Sequence, residues 1–231
     1  MERKSADRRP TIDVVTSAAM NSREQKGPST PELLLEETIR AIEEGGEASV
    51  RVKSVAEAVG VAATSIYHFF GSREDLIDSA NSERYLRTLY GPNWGTLLTA
   101  VTACESKDEF REIVRAILKV GNDAEGQARR RTRVSVLGSA VSRPSLAAKV
   151  REANLTYARE AAYSFSKAQV RGWIRRDIDL EAFSMWNIGQ MTGRYLVELD
   201  DPIGDLDAWE QIELDAVLSA LLGEAPPESA F

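Results

Sequence analysis

Cysteine and histidine are nearly missing from this 231-residue chain, which has one of each, Cys104 and His68. A lone cysteine forms no intrachain disulfide, and this points to a reducing, cytoplasmic setting. One cysteine and one histidine do not furnish a usual structural zinc site without two carboxylates, so no metal is expected. Long apolar runs are missing too. None approaches the ~18 residues of a membrane span, so no membrane partner is expected. Early in the chain the apolar patch Ile12 to Val15 is broken by Asp13, which leaves no signal-peptide core. Alternating β-branched runs are absent, and with them strands and the glycine-rich phosphate loop that would follow one. A positive overall balance is also lacking. The formal net charge is -7, which excludes a basic coat but not a local basic surface. A Ser-His-Asp triad needs its histidine in a cleft, whereas His68 lies in a segment patterned for another task. Carboxylate pairs such as Glu43-Glu44 and Asp200-Asp201 fall at predicted helix ends, where acids are solvated. No catalytic residue and no cofactor are expected.

What is present is 43% hydrophobic residues, enough for a packed core, and many helix formers. Residues 1–29 mix basic, polar and small residues, Arg8, Arg9, Arg23 and Lys26 among them. They read as a flexible arm that is either solvated or in reach of DNA phosphates. Order is expected from Thr30-Pro31, a threonine N-cap followed by proline at the first helical position. Leu35, Ile39 and Ile42 follow at helical spacing, and Gly45-Gly46 ends that helix. Short helices fit Val52 to Val59 and Ala62 to Phe70. Ser72 caps a longer one, with Asp75 in the capping-box position. Further helices are expected from Ser106 to about Val120, over 124–141 and 145–171, from Asp179 to about Leu199, and from Asp205 to Leu222. Asp200-Asp201-Pro202 breaks the chain before the last of these. The tail, 224–231, is expected to fray. The fold class is all-α.

The stretch Val55 to Phe70, VAEAVGVAATSIYHFF, carries the most information. Two short helices joined by a tight turn are the plan of a helix-turn-helix. The plan needs a small residue where the helices touch, which is Ala56. It needs a turn residue tolerant of positive φ, which is Gly60. Apolar plugs are needed between the helices: Val55, Val59, Val61, Ile66 and Phe69 or Phe70. With Ile66, Phe69 and Phe70 inward, helical spacing sets Ala63, Thr64, Tyr67 and His68 on the outward face. That face carries no acid and suits a reader of phosphates and base edges. Arg73 starts the following helix, where its side chain and the backbone N–H groups both favour a phosphate. Lys53 starts the first short helix. An ordinary αα-hairpin shares the small residue and the glycine, but not the acid-free polar face.

Residues 30–77 resemble the N-terminal DNA-binding domain of TetR-family transcriptional regulators. The carrying motifs are Val55-Ala56-Glu57-Ala58-Val59-Gly60-Val61, then Ile66-Tyr67-His68-Phe69-Phe70, then Ser72-Arg73-Glu74-Asp75-Leu76. The resemblance implies that Tyr67 and Arg73 bind phosphates. Thr64, Ser65 and His68 would lie on or near base edges, and Lys53 near the DNA backbone. Two hydroxyls common in the family are replaced, by Ala62 and by Arg51. The implied architecture is a three-helix helix-turn-helix domain at 30–78, followed by a larger helical ligand-binding and dimerisation domain at 79–223.

Within the larger part, the segment 179–199 is apolar on two faces, which asks for a partner as well as a core. Trp186, Gly189, Gly193, Leu218 and Leu221 are candidate residues of a homodimer interface, since the resemblance implies that the C-terminal helices pair. Trp94, Phe110 and Tyr157 are candidate pocket walls, with Tyr163 and Phe165 behind them. Aromatics of this kind are more often plain core. The cluster Arg129-Arg130-Arg131-Arg133 reads as a solvated helix face, with a carboxylate or phosphate anchor as the alternative. The expected function is a dimeric, ligand-responsive repressor that binds a palindromic double-stranded DNA operator and is released by a small-molecule effector. The alternative is a helical small-molecule-binding or protein-interaction module without DNA binding.

Overall fold

A computed structural model describes residues 27–91, 93–199 and 204–223. The arm expected over 1–29 lies almost wholly outside the described residues, as do the tail 224–231 and the break at Asp200-Asp201-Pro202. All regular structure among the described residues is helical, so the chain is all-α.

Backbone packing divides the chain between Phe69 and Phe70 into two compact units. The first holds α1 (Thr30–Gly45), a 3-10 turn (Glu47–Ser49), α2 (Val52–Val59) and most of α3 (Ala63–Phe70). The N-cap of α1 is Ser29, one residue before the expected Thr30. The Glu32 carboxylate decides this register, because it accepts the Ser29 N–H at 2.8 Å and the Ser29 hydroxyl at 2.8 Å. Leu34, Ile39 and Ile42 of α1 are buried with Val50, Val55, Ala56 and Ile66. The six of these larger than alanine contribute about 1.5–3 kcal/mol each when fully buried, against the entropy of ordering so short a segment.

The second unit holds α4 (Arg73–Leu89), α5 (Trp94–Ala103), α6 (Lys107–Asn122), α7 (Ala124–Ala140), α8 (Pro144–Val170), α9 (Leu180–Gly193), a 3-10 turn (Arg194–Val197) and α10 (Leu206–Leu222). Caps fix most of its helix starts. Ser72, Ser106, Asp123, Asp179 and Asp205 each accept a backbone N–H of the first turn. The long helix α8 is central, packing on α4, α5, α7 and α9. Its neighbours supply a continuous core that includes Tyr85, Phe110, Val136, Leu146, Phe165, Ile174 and Leu221. The helix expected from Asp179 to Leu199 stops at Gly193 and tightens into the 3-10 turn. The tightening brings Arg194 and Glu198 together inside the unit, with Arg194 Nε 2.7 Å from Glu198 Oε1.

Helices α6 and α7 approach closely at Gly121 and Gly126. A Cβ on Gly126 would lie 1.9 Å from the Gly121 carbonyl oxygen. The same carbonyl accepts from Arg130 Nη1 at 2.5 Å.

Candidate functional sites

The turn between α2 and α3 is built on Gly60, whose φ of 76° and ψ of 28° are left-handed. The Val61 N–H reaches back to the Ala56 carbonyl at 2.9 Å and closes the end of α2. Val55, Ala56 and Ile66 are buried, while Val59, Val61 and Phe70 are half-buried. Phe69 departs from the inward placement expected of it, being 44% exposed. Residues 66, 69 and 70 share one helical face, with 66 nearest its centre and 69 farthest from it. Ile66 takes the centre and Phe69 falls to the rim, where its ring meets that of His68 edge-on at 4.9 Å.

Thr64, Tyr67 and His68 are all exposed on α3, Tyr67 at 53%. Ser65 is half-buried. The helix begins at Ala63, one residue later than expected, and carries no Asp, Glu, Lys or Arg. Lys53 is at the exposed start of α2, 3.7 Å from the Glu57 carboxylate. Such an exposed i,i+4 pair contributes at most ~0.5 kcal/mol and leaves the ammonium free to exchange partners. Arg51, in place of a capping hydroxyl, donates from Nη1 to the Ala48 carbonyl at 2.7 Å. In the second unit, Arg73 opens α4 directly after the Ser72 cap. The Ser72 hydroxyl accepts the Asp75 N–H at 3.0 Å, and Arg73 lies 3.5 Å from Glu74.

A cavity of about 70 Å³ opens inside the second unit. Trp94 and Tyr157 line it, stacked at 4.6 Å, with Tyr90 edge-on to Tyr157 at 5.7 Å. Burial pushes the phenol pKa values of Tyr90 and Tyr157 well above the ordinary range. An adjoining, more apolar cavity shares Trp94, Ile117, Tyr157 and Asn187 with the first and is bounded by Phe165 and Phe183. Phe110 lines neither. It is fully buried in the core, edge-on to Phe165 at 5.8 Å. Tyr163 is 78% exposed on the surface.

The arginine cluster on α7 is not the solvated face that its composition suggests. Arg131 is exposed, but Arg130 and Arg133 are buried and Arg129 is half-buried. The i, i+3 spacing of Arg130 and Arg133 continues the inward stripe from Gly126 to Val136. Arg130 is bound by Glu198, with Nε to Oε2 at 2.7 Å. Glu198 also takes Arg194, which reaches Glu210 at 2.8 Å, and Asn122 donates to Glu213 at 2.7 Å. Burial alone would raise the Glu198 pKa, but hydrogen bonds from Arg130 and Arg194 outweigh it and hold the carboxyl below its ordinary range. For Glu213 burial wins, and its pKa is raised.

Of the residues expected at an intersubunit surface, Trp186 is 45% exposed and Gly189 is open to solvent. Gly193 is half-buried. Leu218 and Leu221 face the unit's own core instead. Ile212, Met185, Leu196 and Leu199 supply the exposed apolar surface in their place.

The chain is all-helical, with a helix-turn-helix in its first unit and a larger helical second unit. Residues 34–80 match the sequence model of the bacterial regulatory proteins of the tetR family. Solved structures extend the likeness to the fold of most of the chain. A protein from Mesorhizobium loti described as a TetR-family transcriptional regulator is 16% identical, with a TM-score of 0.60, and the alignment covers 89% of this chain and 96% of that one. A Rhodococcus sp. protein described in the same way is 21% identical, with a TM-score of 0.55 and coverage of 81% and 95%. The transcriptional regulator FadR from Bacillus subtilis, solved in complex with stearoyl-CoA, is 18% identical, with a TM-score of 0.54 and coverage of 81% and 97%. No curated protein matches the chain. No described helix is long and apolar enough to cross a membrane.

Proposed function

We propose that the protein is a dimeric transcriptional repressor that binds a palindromic DNA operator and leaves it when a small molecule enters the second unit. The observation that carries this reading is the exposed, acid-free face of α3, behind a left-handed Gly60 turn and inside the segment that matches the family. On this reading the reader domain spans 30–78 and the regulatory domain 79–223. Tyr67 and Arg73 hold phosphates, and Lys53 approaches the backbone beside them. Thr64, Ser65 and His68 meet base edges in the major groove. The exposed apolar stripe around Trp186, Gly189 and Ile212 pairs with a second copy, setting two α3 helices about one turn of DNA, ~34 Å, apart. The cavity at Trp94 and Tyr157 takes the effector, whose leverage equals its differential affinity for the DNA-competent and released states. The stearoyl-CoA held by the Bacillus subtilis regulator supports an effector site in this fold, without identifying the effector here.

Acids outnumber cations over residues 30–77, and this favours the competing reading of a helical module without DNA binding. Salt titration separates the two. Real phosphate contacts make log affinity fall steeply with log salt; binding that is absent or salt-independent contradicts the regulator reading.

A further inference from the structure

The cavity beside Trp94 contains a positive charge that no carboxylate among the described residues pairs with. Arg133 is only 3% exposed. Its Nε donates to the Thr88 hydroxyl at 3.2 Å, its Nη2 to the Thr88 carbonyl at 2.6 Å and its Nη1 to the Thr192 hydroxyl at 3.2 Å. All three acceptors are neutral. A guanidinium has five N–H groups, so two remain for another acceptor. Burial pushes the pKa of this guanidinium down, and Arg130 and Arg129 nearby push it the same way. Those neighbours are already answered by acids. Arg130 has Glu198, and Arg129 faces Asp123 at 3.9 Å and Glu125 at 3.6 Å. A buried cation without a counter-charge is costly. The hydrogen bonds to Thr88 and Thr192 satisfy those acceptors but leave the charge unneutralised.

Two further polar atoms of residues lining the cavity, the Trp94 indole Nε1 and the Asn187 Oδ1, find no hydrogen-bond partner among the described residues. One is a donor and the other an acceptor. Trp94, Tyr157 and Asn187 also wall the second, mainly apolar cavity.

We infer that this cavity binds a small monoanionic amphiphile: its carboxylate is held by the Arg133 guanidinium, and its apolar body lies past Trp94 toward Phe165 and Phe183. The charge count points to one negative charge, since only one of the three inward cations lacks an acid. The Asn187 oxygen favours a body that carries one N–H or O–H. This deepens the effector reading and rests on it for the consequence of binding, the release of DNA.

The test is calorimetric titration of the intact protein with matched acid and amide pairs: octanoate and octanamide, decanoate and decanamide, 3-phenylpropionate and 3-phenylpropanamide, indole-3-acetate and indole-3-acetamide. At least one acid is expected to bind tenfold or more tighter than its amide. Arg133→Met should erase that preference. Arg133→Gln, which keeps donors for Thr88, should erase it too and serves if the first variant does not fold. Equal binding within every pair, no binding by any acid, or a preference that survives both variants would overturn the inference. DNA affinity is measured separately with the bound acid. An acid that binds but leaves DNA affinity unchanged contradicts the effector role and leaves the anion site standing.

Discussion

Gly60 owes its place to backbone conformation alone. Its φ is 76°, and nothing lies within 4 Å of where a Cβ would stand. Gly60→Val therefore meets no clash, yet it forces a β-branched residue into the left-handed region. A loss of about 2 kcal/mol is expected by chemical denaturation. Gly60→Asn, which tolerates that region, should lose clearly less. Equal losses would place the strain elsewhere. Tyr67 offers the opposite contrast. It is exposed, so Tyr67→Phe should leave stability within about 0.5 kcal/mol. DNA affinity should fall by about 2 kcal/mol, the worth of one hydrogen bond to a charged group, and equally on all sequences. A change in sequence preference, measured on a panel of operator variants, would assign the hydroxyl to a base instead. Arg73→Ala should reduce the slope of log affinity against log salt by about one unit. At this scale much was legible in the sequence. Gly60, Ala56 and Ile66 sit where a tight helical turn needs them, and a local pattern is enough to place such residues. Phe69 and the buried arginines were not legible. Whether such side chains are buried or exposed depends on which neighbour fills the core, and that is a tertiary fact.

Between elements, α6, α7 and the 3-10 turn are joined by a close backbone approach and a charge cluster. A Cβ at Gly126 would strike the Gly121 backbone, which has no rotamer to yield. Gly126→Ala should therefore destabilise by about 2 kcal/mol or more, although alanine is the better helix former by ~1 kcal/mol. A stabilised variant in thermal melts would show that the helices separate without cost. The charge cluster makes a pH prediction with two signs. Glu198 has a lowered folded-state pKa, so its contribution is present above the ordinary glutamate range and is lost as pH falls below it. Glu213 has a raised folded-state pKa, so its ionisation works against folding as pH rises through that value. Glu198→Gln should then cost about 3 kcal/mol at neutral pH, because it leaves Arg130 and Arg194 short of a buried counter-charge. Glu213→Gln should cost little or nothing there. Denaturation curves of both variants at neutral and at acid pH check this, and equal losses at neutral pH would contradict it. The sequence showed the capped starts of these helices at Ser106 and Asp205, since a cap is a signal within four residues. It did not show that the helix from Asp179 would stop at Gly193. There Glu198 turns inward to Arg130 and Arg194, a tertiary contact that no local pattern shows.

For the whole molecule, the expected assembly is a symmetric pair. Trp186 and Ile212 stay exposed although they are large and apolar, as an interface awaiting a second copy requires. Trp186→Asp should give a monomer by sedimentation equilibrium with unchanged helicity. A variant that remains dimeric would move the interface off α9. The two leucines of α10 expected at this surface, Leu218 and Leu221, are taken by the core. Periodicity marks a helix as apolar on two sides without saying which side its own domain uses. The claim on which the rest depends is sequence-specific DNA binding by the face of α3. It is tested most directly by selecting genomic DNA fragments with the purified protein, using the double variant Tyr67→Ala/Arg73→Ala as control and repeating the selection on refolded, ligand-stripped protein. Enrichment of a palindromic site by the wild type alone, with half-sites about one helical turn apart, is the expected result. Fragments no richer than the control, for both the native and the stripped protein, would contradict it.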